Sequence, residues 1–472
     1  MKHNGHANSI RGRVSILFLL RGTRGAGPGH EGASTGDQRG LDRVSSLFNR
    51  GMDRARSGQC RVPSYLASVP SGRRLLVIGA MSRLGMGMTP LALILSVIRT
   101  GNGFGAAGVA TGVYGLAGAG VGPLVGRLMD RLGPSLLLRI MGPLNMGLTS
   151  GIWLASRSGL AWTYVACGLA GVTYPPLTAA LRGSWAGLFG EERSAVPLAR
   201  LRASALALDA VTFELVFLLG PALVSAIVSF APPGAALVFA AFVTGAGSLL
   251  VAVNPLLSSR STPPSQRTHP LGPLRMPGFG ALVATSGALG ITFGAVTVAV
   301  TAFADRVSAN SGTAGFLLAL WGLGSIIGGG LFARRPPGRA LQTVLAVLLC
   351  LIAVSTLLLA ATSGPTAMGV VLGLGGLAVA PAVAAYTTLA NSAVPADVRG
   401  EANTLLVAIP AATQALGSWI AGLLVARFHG PQVAFVVAGA VTATSLLWLR
   451  WPRRAGVLRS RDLEEVRTDN PR

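Results

Sequence analysis

Lysine is almost missing from this 472-residue chain. Lys2 is the only one, and acids are scarce, 16 against 39 basic residues, so the net charge of +23 is arginine. Charged residues make up 12% of the sequence, against about 25% in a soluble domain. Cysteine is scarce too. Cys60, Cys167 and Cys350 lie too far apart for a disulfide framework or a zinc site and read as small apolar fillers. The five histidines fall in tails and loops. Without paired-Asp motifs, an H-x-x-H cluster or a nucleophile–base set, there is nothing to make the chain an enzyme, and no cofactor is expected. A G-x-x-x-x-G-K-[ST] phosphate loop is lacking, which removes ATP-driven pumping. The positive charge is not joined by basic aromatic clusters, which argues against a nucleic-acid partner. Arginine in place of lysine, with so much Ala and Gly, reads as a GC-rich genome.

What the chain has instead is long apolar runs. Hydrophobic residues reach 51%. Twelve stretches of roughly 18 to 26 residues, each long enough to cross a bilayer as a helix, are predicted at 75–98, 104–127, 134–155, 160–181, 203–229, 235–254, 278–303, 312–333, 339–361, 365–388, 401–426 and 431–450. The second six echo the first. At one offset of 207, Ala107-Gly108, Tyr114-Gly115, Gly122 and Arg127 fall on Ala314-Gly315, Trp321-Gly322, Gly329 and Arg334. Gly168, Gly171 and Pro176 fall on Gly373, Gly376 and Pro381, and Arg202 and Gly220 on Arg399 and Gly417. A duplicated six-helix unit is the layout of carriers that rock two bundles around a central site.

The predicted organisation is a bundle over 73–254, a polar Pro-rich linker over 255–277, a second bundle over 278–451 and a short tail over 452–472. Residues 1–72 read as a disordered tail, or as sequence upstream of a start such as Met52. Arginines crowd alternate loops. One side holds Arg73, Arg74, Arg127, Arg131, Arg182, Arg260, Arg399 and others, and the opposite side only Arg99, Arg157, Arg306 and Arg427. This asymmetry predicts both termini and the central loop in the cytoplasm, with a bacterial plasma membrane as the expected location.

After the second stretch stands Gly126-Arg-Leu-Met-Asp130-Arg131-Leu-Gly133. This G-x-x-x-D-R-x-G segment resembles the loop signature of the major facilitator superfamily. With the twelve spans and the six-plus-six repeat, the resemblance covers about Leu75 to Trp451. It implies an all-α membrane fold of two six-helix bundles, alternating access, and a cytoplasmic gate at Gly126, Asp130, Arg131 and Gly133. The basic pair that usually follows is replaced by Pro134 and Ser135, and the second half has Ala333 and Pro337 in place of Gly126 and Asp130. Apart from the resemblance, the segment also fits a tight charged turn that fixes topology. The end of the fifth stretch, Gly220-Pro221, partly resembles the superfamily's antiporter motif, with Val216 and Val224-Ser225 departing from it. A proline there frees a backbone carbonyl and can kink the helix.

Asp209 and Glu214 lie inside the fifth stretch, whereas the eleventh has Leu406 and Ala411 at the matching positions. An acid in the bilayer is costly, about 2.5 to 3.5 kcal/mol on insertion scales, so it is paired, protonated or facing water. Arg83, inside the first stretch, is the natural partner for one of them. A static ion pair and a proton-coupling pair both fit. Five residues put Asp209 and Glu214 about 140° apart on a helix, so one arginine does not serve both. Tyr114, Trp321, Tyr174, Tyr386 and Gln414 are the lining expected if they face a cavity. Such a lining suits hydrophobic or amphiphilic small molecules better than sugars or phosphorylated anions. The leading expectation is a monomeric, proton-coupled exporter of drugs or secondary metabolites. An uptake carrier and a non-transporting membrane sensor are the alternatives.

Overall fold

The computed structural model describes residues 70–188, 198–254, 257, 272–308, 312–334, 340–395 and 398–454. They lie within one compact unit, Val62–Arg472. Most of the predicted tail, linker and C-terminal segment lies outside the described residues. In the first half, α1 spans Pro70–Ile98, α2 Phe104–Leu132, α3 Pro134–Ser158, α4 Leu160–Val172, α5 Leu177–Leu188, α6 Leu198–Val228 and α7 Pro233–Ala252. In the second, α8 spans Phe279–Val307, α9 Thr313–Arg334, α10 Leu341–Leu359, α11 Pro365–Gly376, α12 Val379–Ala393, α13 Arg399–Phe428 and α14 Gln432–Arg454. Among the described residues there is no strand, and nine helical segments are long and apolar enough to cross a membrane. The predicted spans outside those nine are α3, the α4–α5 pair and α14, whose apolar run is Gln432–Trp448.

Two predicted spans are broken rather than continuous. The fourth divides into α4 and α5 at Tyr174-Pro175-Pro176, because adjacent prolines supply no N–H and push the preceding residue out of the helical region. The tenth divides into α11 and α12 at Leu377-Ala378, and Pro381 then sits in the first turn of α12, where its missing N–H costs nothing.

Packing repeats along with sequence, so that each helix has its counterpart seven labels on. The pairs α1–α7, α3–α7, α1–α6 and α2–α4 recur as α8–α14, α10–α14, α8–α13 and α9–α11. The counterparts α1 and α8 are the most buried spans, with 72% and 83% of their apolar windows covered. One contact recurs in atomic detail. Gly171 presses on the carbonyl of Tyr114, and Gly376 presses on the carbonyl of Trp321.

Two seams join the halves, α2 against α13 and α6 against α9, and they are counterparts of each other. Gly108 is so close to α13 that a Cβ there would stand 2.7 Å from the Ser418 carbonyl and 2.8 Å from Gly422 Cα. In the other seam, Gly315 meets the Pro221 carbonyl, and the Ser225 hydroxyl donates to the Gly312 carbonyl at 2.5 Å. Both contacts lie toward one face, the far face, where α2 and α9 begin and α6 and α13 end. Toward the near face, where α1 begins, Gly120, Gly122 and Gly126 of α2 face open space. The seams are thus shut at the far face and parted along α2 at the near face.

Candidate functional site

The α6–α9 seam ends inward at an acid. Pro221 lies inside the continuous helix α6 and cannot donate to Phe217, four residues earlier. The freed Phe217 carbonyl faces Gly322 of α9, 3.2 Å from where a Cβ would stand. Two turns before Pro221, the half-buried Glu214 accepts a hydrogen bond from the Ser325 hydroxyl of α9, 2.8 Å from its Oε2. This bond crosses between the halves. Tyr386 of α12, 6% exposed, lies within electrostatic reach of the same carboxyl group. Trp321, one turn from Ser325 on α9, meets Phe293 of α8 edge-on, with ring centroids 5.4 Å apart.

A second polar cluster lies within the first half. Arg83 of α1 is 1% exposed, and its charge acts on Tyr174 at the α4–α5 break. Tyr174 in turn acts on Tyr114, whose hydroxyl interacts with the side chains of Thr89 and Asn145. Asn145 of α3 also donates to the Ala170 carbonyl of α4 at 2.7 Å, which ties α3 to α4 next to the break. Replacing Asn145 by valine is expected to cost about 1 kcal/mol, as interhelical hydrogen bonds in membranes average roughly 0.6. Thermal unfolding of the purified protein in detergent measures it.

Of the residues singled out from the sequence, Glu214, Trp321 and Tyr386 gather around the seam, and Arg83, Tyr114 and Tyr174 around the α4–α5 break. The side chain of Asp209 lies outside the described residues. Gln414 is half-buried on α13, where Gly294 of α8 meets its carbonyl. Gly220 and Gly87 press together and bring α6 onto α1. In the gate segment, Asp130 and Arg131 are exposed at the end of α2. Gly133 takes φ +83 to turn the chain into α3, its N–H bonded to the Met129 carbonyl at 3.0 Å. This left-handed conformation, rather than any lack of space, is what calls for glycine there. Sequence reasoning missed Ser325, Phe293 and Asn145. The signal for Ser325 was present, a lone hydroxyl in the Gly-rich middle of α9, one turn beyond Trp321.

Apolar helices built as two matching sets, with polar groups held at the seam and in the interior, define a multi-pass membrane transporter. The sequence profile of the Major Facilitator Superfamily matches residues 75–409, and the chain belongs to that superfamily of secondary transporters. It is 26% identical over 395 residues to an uncharacterized MFS-type transporter, y4rN, of Sinorhizobium fredii (strain NBRC 101917 / NGR234), covering 81% of this chain and 95% of the relative. The fold is similar to the crystal structure of the nucleoside transporter NupG, with TM-score 0.64, 12% identity and coverage of 81% of this chain and 99% of that one. It is also similar to the human organic anion transporter MFSD10 (TETRAN), with TM-score 0.56, 17% identity and coverage of 80% and 99%. At these identities the structural likeness carries the fold alone.

Proposed function

We propose that this protein is a proton-coupled exporter of hydrophobic or amphiphilic small molecules. Its two six-helix halves, 73–254 and 278–451, expose a central site alternately to each side of a bacterial plasma membrane. The carrying observation is the hydrogen bond from Ser325 to Glu214, 2.8 Å long, across the α6–α9 seam. Rocking of the halves must lengthen or break that bond, so the proton affinity of the carboxyl group is tied to which face is open. The near face is read as cytoplasmic from the arginine count of the loops on that side, which makes the described conformation inward-open. The protein is read as a monomer, since both halves of the site come from one chain. Gly126, Asp130, Arg131 and Gly133 then belong to the gate that closes the cytoplasmic side in the opposite conformation. The apolar and aromatic surroundings of Glu214 favour amphiphilic compounds over sugars.

The test is dye or antibiotic uptake into everted vesicles under an imposed pH gradient. Accumulation driven by the gradient is expected in the parent, with at least a tenfold loss in Glu214→Gln. Unchanged gradient-driven accumulation in the variant removes Glu214 from the coupling. The absence of gradient-dependent movement across a panel of cations, neutral compounds and anions overturns the exporter reading.

A further inference from the structure

The two halves differ at one matching place. In the first half, the space between α1, α2, α3 and α4 holds the polar side chains of Thr89, Tyr114 and Asn145. Asn145 ties α3 to α4 through its bond to the Ala170 carbonyl. At the offset of 207 these three residues become Val296, Trp321 and Ile352, and at 205 Ala170 becomes Gly375. Ile352 has no side-chain donor, so the tie is lost. Val296, Trp321, Ile352, Thr356, Leu372 and Gly375 instead line a pocket of about 230 Å³, its open mouth included, between α8, α9, α10 and α11. The α10 hydroxyls beside it, Ser355 and Thr356, donate to the Ile352 carbonyl of their own helix at 3.0 and 2.7 Å. Neither has a donor left for α11.

The two helix breaks differ in the same direction. At the α4–α5 break, Pro175 and Pro176 have fixed φ, and Pro175 keeps Tyr174 out of the helical region. That turn cannot become helix. At the α11–α12 break, Leu377 (φ −54, ψ −23) and Ala378 (φ −90, ψ −16) stand within about 30° of helical values. Their N–H groups bond to the Leu374 and Gly375 carbonyls, three residues back, each at 3.2 Å. A small change of dihedrals exchanges such a tight turn for an ordinary helical one. Gly376, seated on the Trp321 carbonyl just before the turn, is the pivot. Leu372, one turn earlier, faces the pocket. Packed interiors resist such movement, and unfilled space permits it.

We propose that the α11–α12 turn is a hinge at which α11 tilts toward α10 and closes the pocket beside Trp321. The first half, held by its prolines and by the Asn145 tie, moves as one body. The part this hinge plays in the cycle rests on the transport reading above. Gly376 also stands against the main chain of Ser325, the donor to Glu214, so bending at this turn reaches the acid of the α6–α9 seam.

Filling an idle void stabilises a protein without slowing it, whereas filling the space a hinge needs does both. Val371→Leu, on α11, and Val296→Ile, on the α8 wall, each add a methylene at the pocket. Val370→Leu adds one at the neighbouring lipid-facing position, 55% exposed, and is the control. Hydrogen exchange of the purified protein in detergent is expected to show the amides of 373–378 protected roughly tenfold less than their counterparts 168–173. Both pocket variants are expected to raise protection of 373–378 roughly threefold and to slow gradient-driven uptake into everted vesicles by a similar factor. Their unfolding midpoints should be no lower than the parent's. The comparison within the parent needs no variant, so it still decides if both substitutions overpack. Equal protection of the two segments overturns the hinge, as do folded pocket variants whose protection matches that of Val370→Leu. Raised protection without slower transport also overturns it, because the bend then has no part in the cycle. A parent with unequal protection but no gradient-driven movement sinks the transport reading and leaves the hinge standing.

Discussion

Gly376→Leu is expected to destabilise the protein by on the order of 3 kcal/mol, the upper end of overpacking costs, and to disturb Glu214 at a distance. Gly376 is buried at the end of α11, against the Trp321 carbonyl, with Gly324 Cα and Ser325 N each 3.2 Å from where a Cβ would stand. All three contacts are main chain, so no rotamer can yield and α9 or α11 must shift. The helix break at Leu377-Ala378 follows at once, and Ser325, the donor to Glu214, is among the displaced residues. Gly171→Leu should behave alike in the first half, because its Cβ would meet the Tyr114 carbonyl. Gly147→Leu is the control, as that glycine faces open space on α3. The measurement is the thermal unfolding midpoint in detergent. A Gly376→Leu midpoint indistinguishable from that of Gly147→Leu would show that the close α9–α11 packing is not needed.

These glycines also show how far the sequence could be read. The offsets of 205 and 207 that align Gly171 with Gly376 and Tyr114 with Trp321 were visible as a repeat, and the structure turns the repeat into the same glycine-on-carbonyl contact twice. Helix positions were legible because apolar length measures the bilayer. The break of the tenth span does not show in hydropathy, and its one signal was Pro381, which cannot donate to the Leu377 carbonyl four residues earlier. Glu214 was legible as an acid where acids are costly, but its partner was not. Periodicity tells which residues share a face of α9, while the rotation that turns Ser325 toward α6 comes from packing at Gly315 and Gly322 against the main chain of α6. Arg83 was equally visible as a buried charge, yet its proximity to Tyr174 depends on the α4–α5 break, which was read as continuous helix.

Bulk at the seams should act differently from bulk inside a half. Gly108→Leu combined with Gly315→Leu places side chains where α2 meets Ser418 and Gly422 of α13, and where α9 meets Pro221 and Ser225 of α6. These contacts are made in the described conformation, and the alternating access proposed above requires them to part in the opposite one. A residue that cannot fit in one state and fits in the other shifts a population instead of unfolding the chain. A penalty of about 2 kcal/mol moves that equilibrium roughly thirtyfold. Ala415, 4% exposed on α13 against Gly112 and Gly115 of α2, is the place to read it, as Ala415→Cys in a background with Cys60→Ala and Cys350→Ala. Maleimide labelling at that cysteine is expected to rise at least tenfold in the double variant, with transport falling by a similar factor. The unfolding midpoint should drop less than in Gly376→Leu. Slow labelling in a folded double variant would mean that the far-face seams stay shut despite the added bulk, and that these glycines do not set the balance between the two conformations.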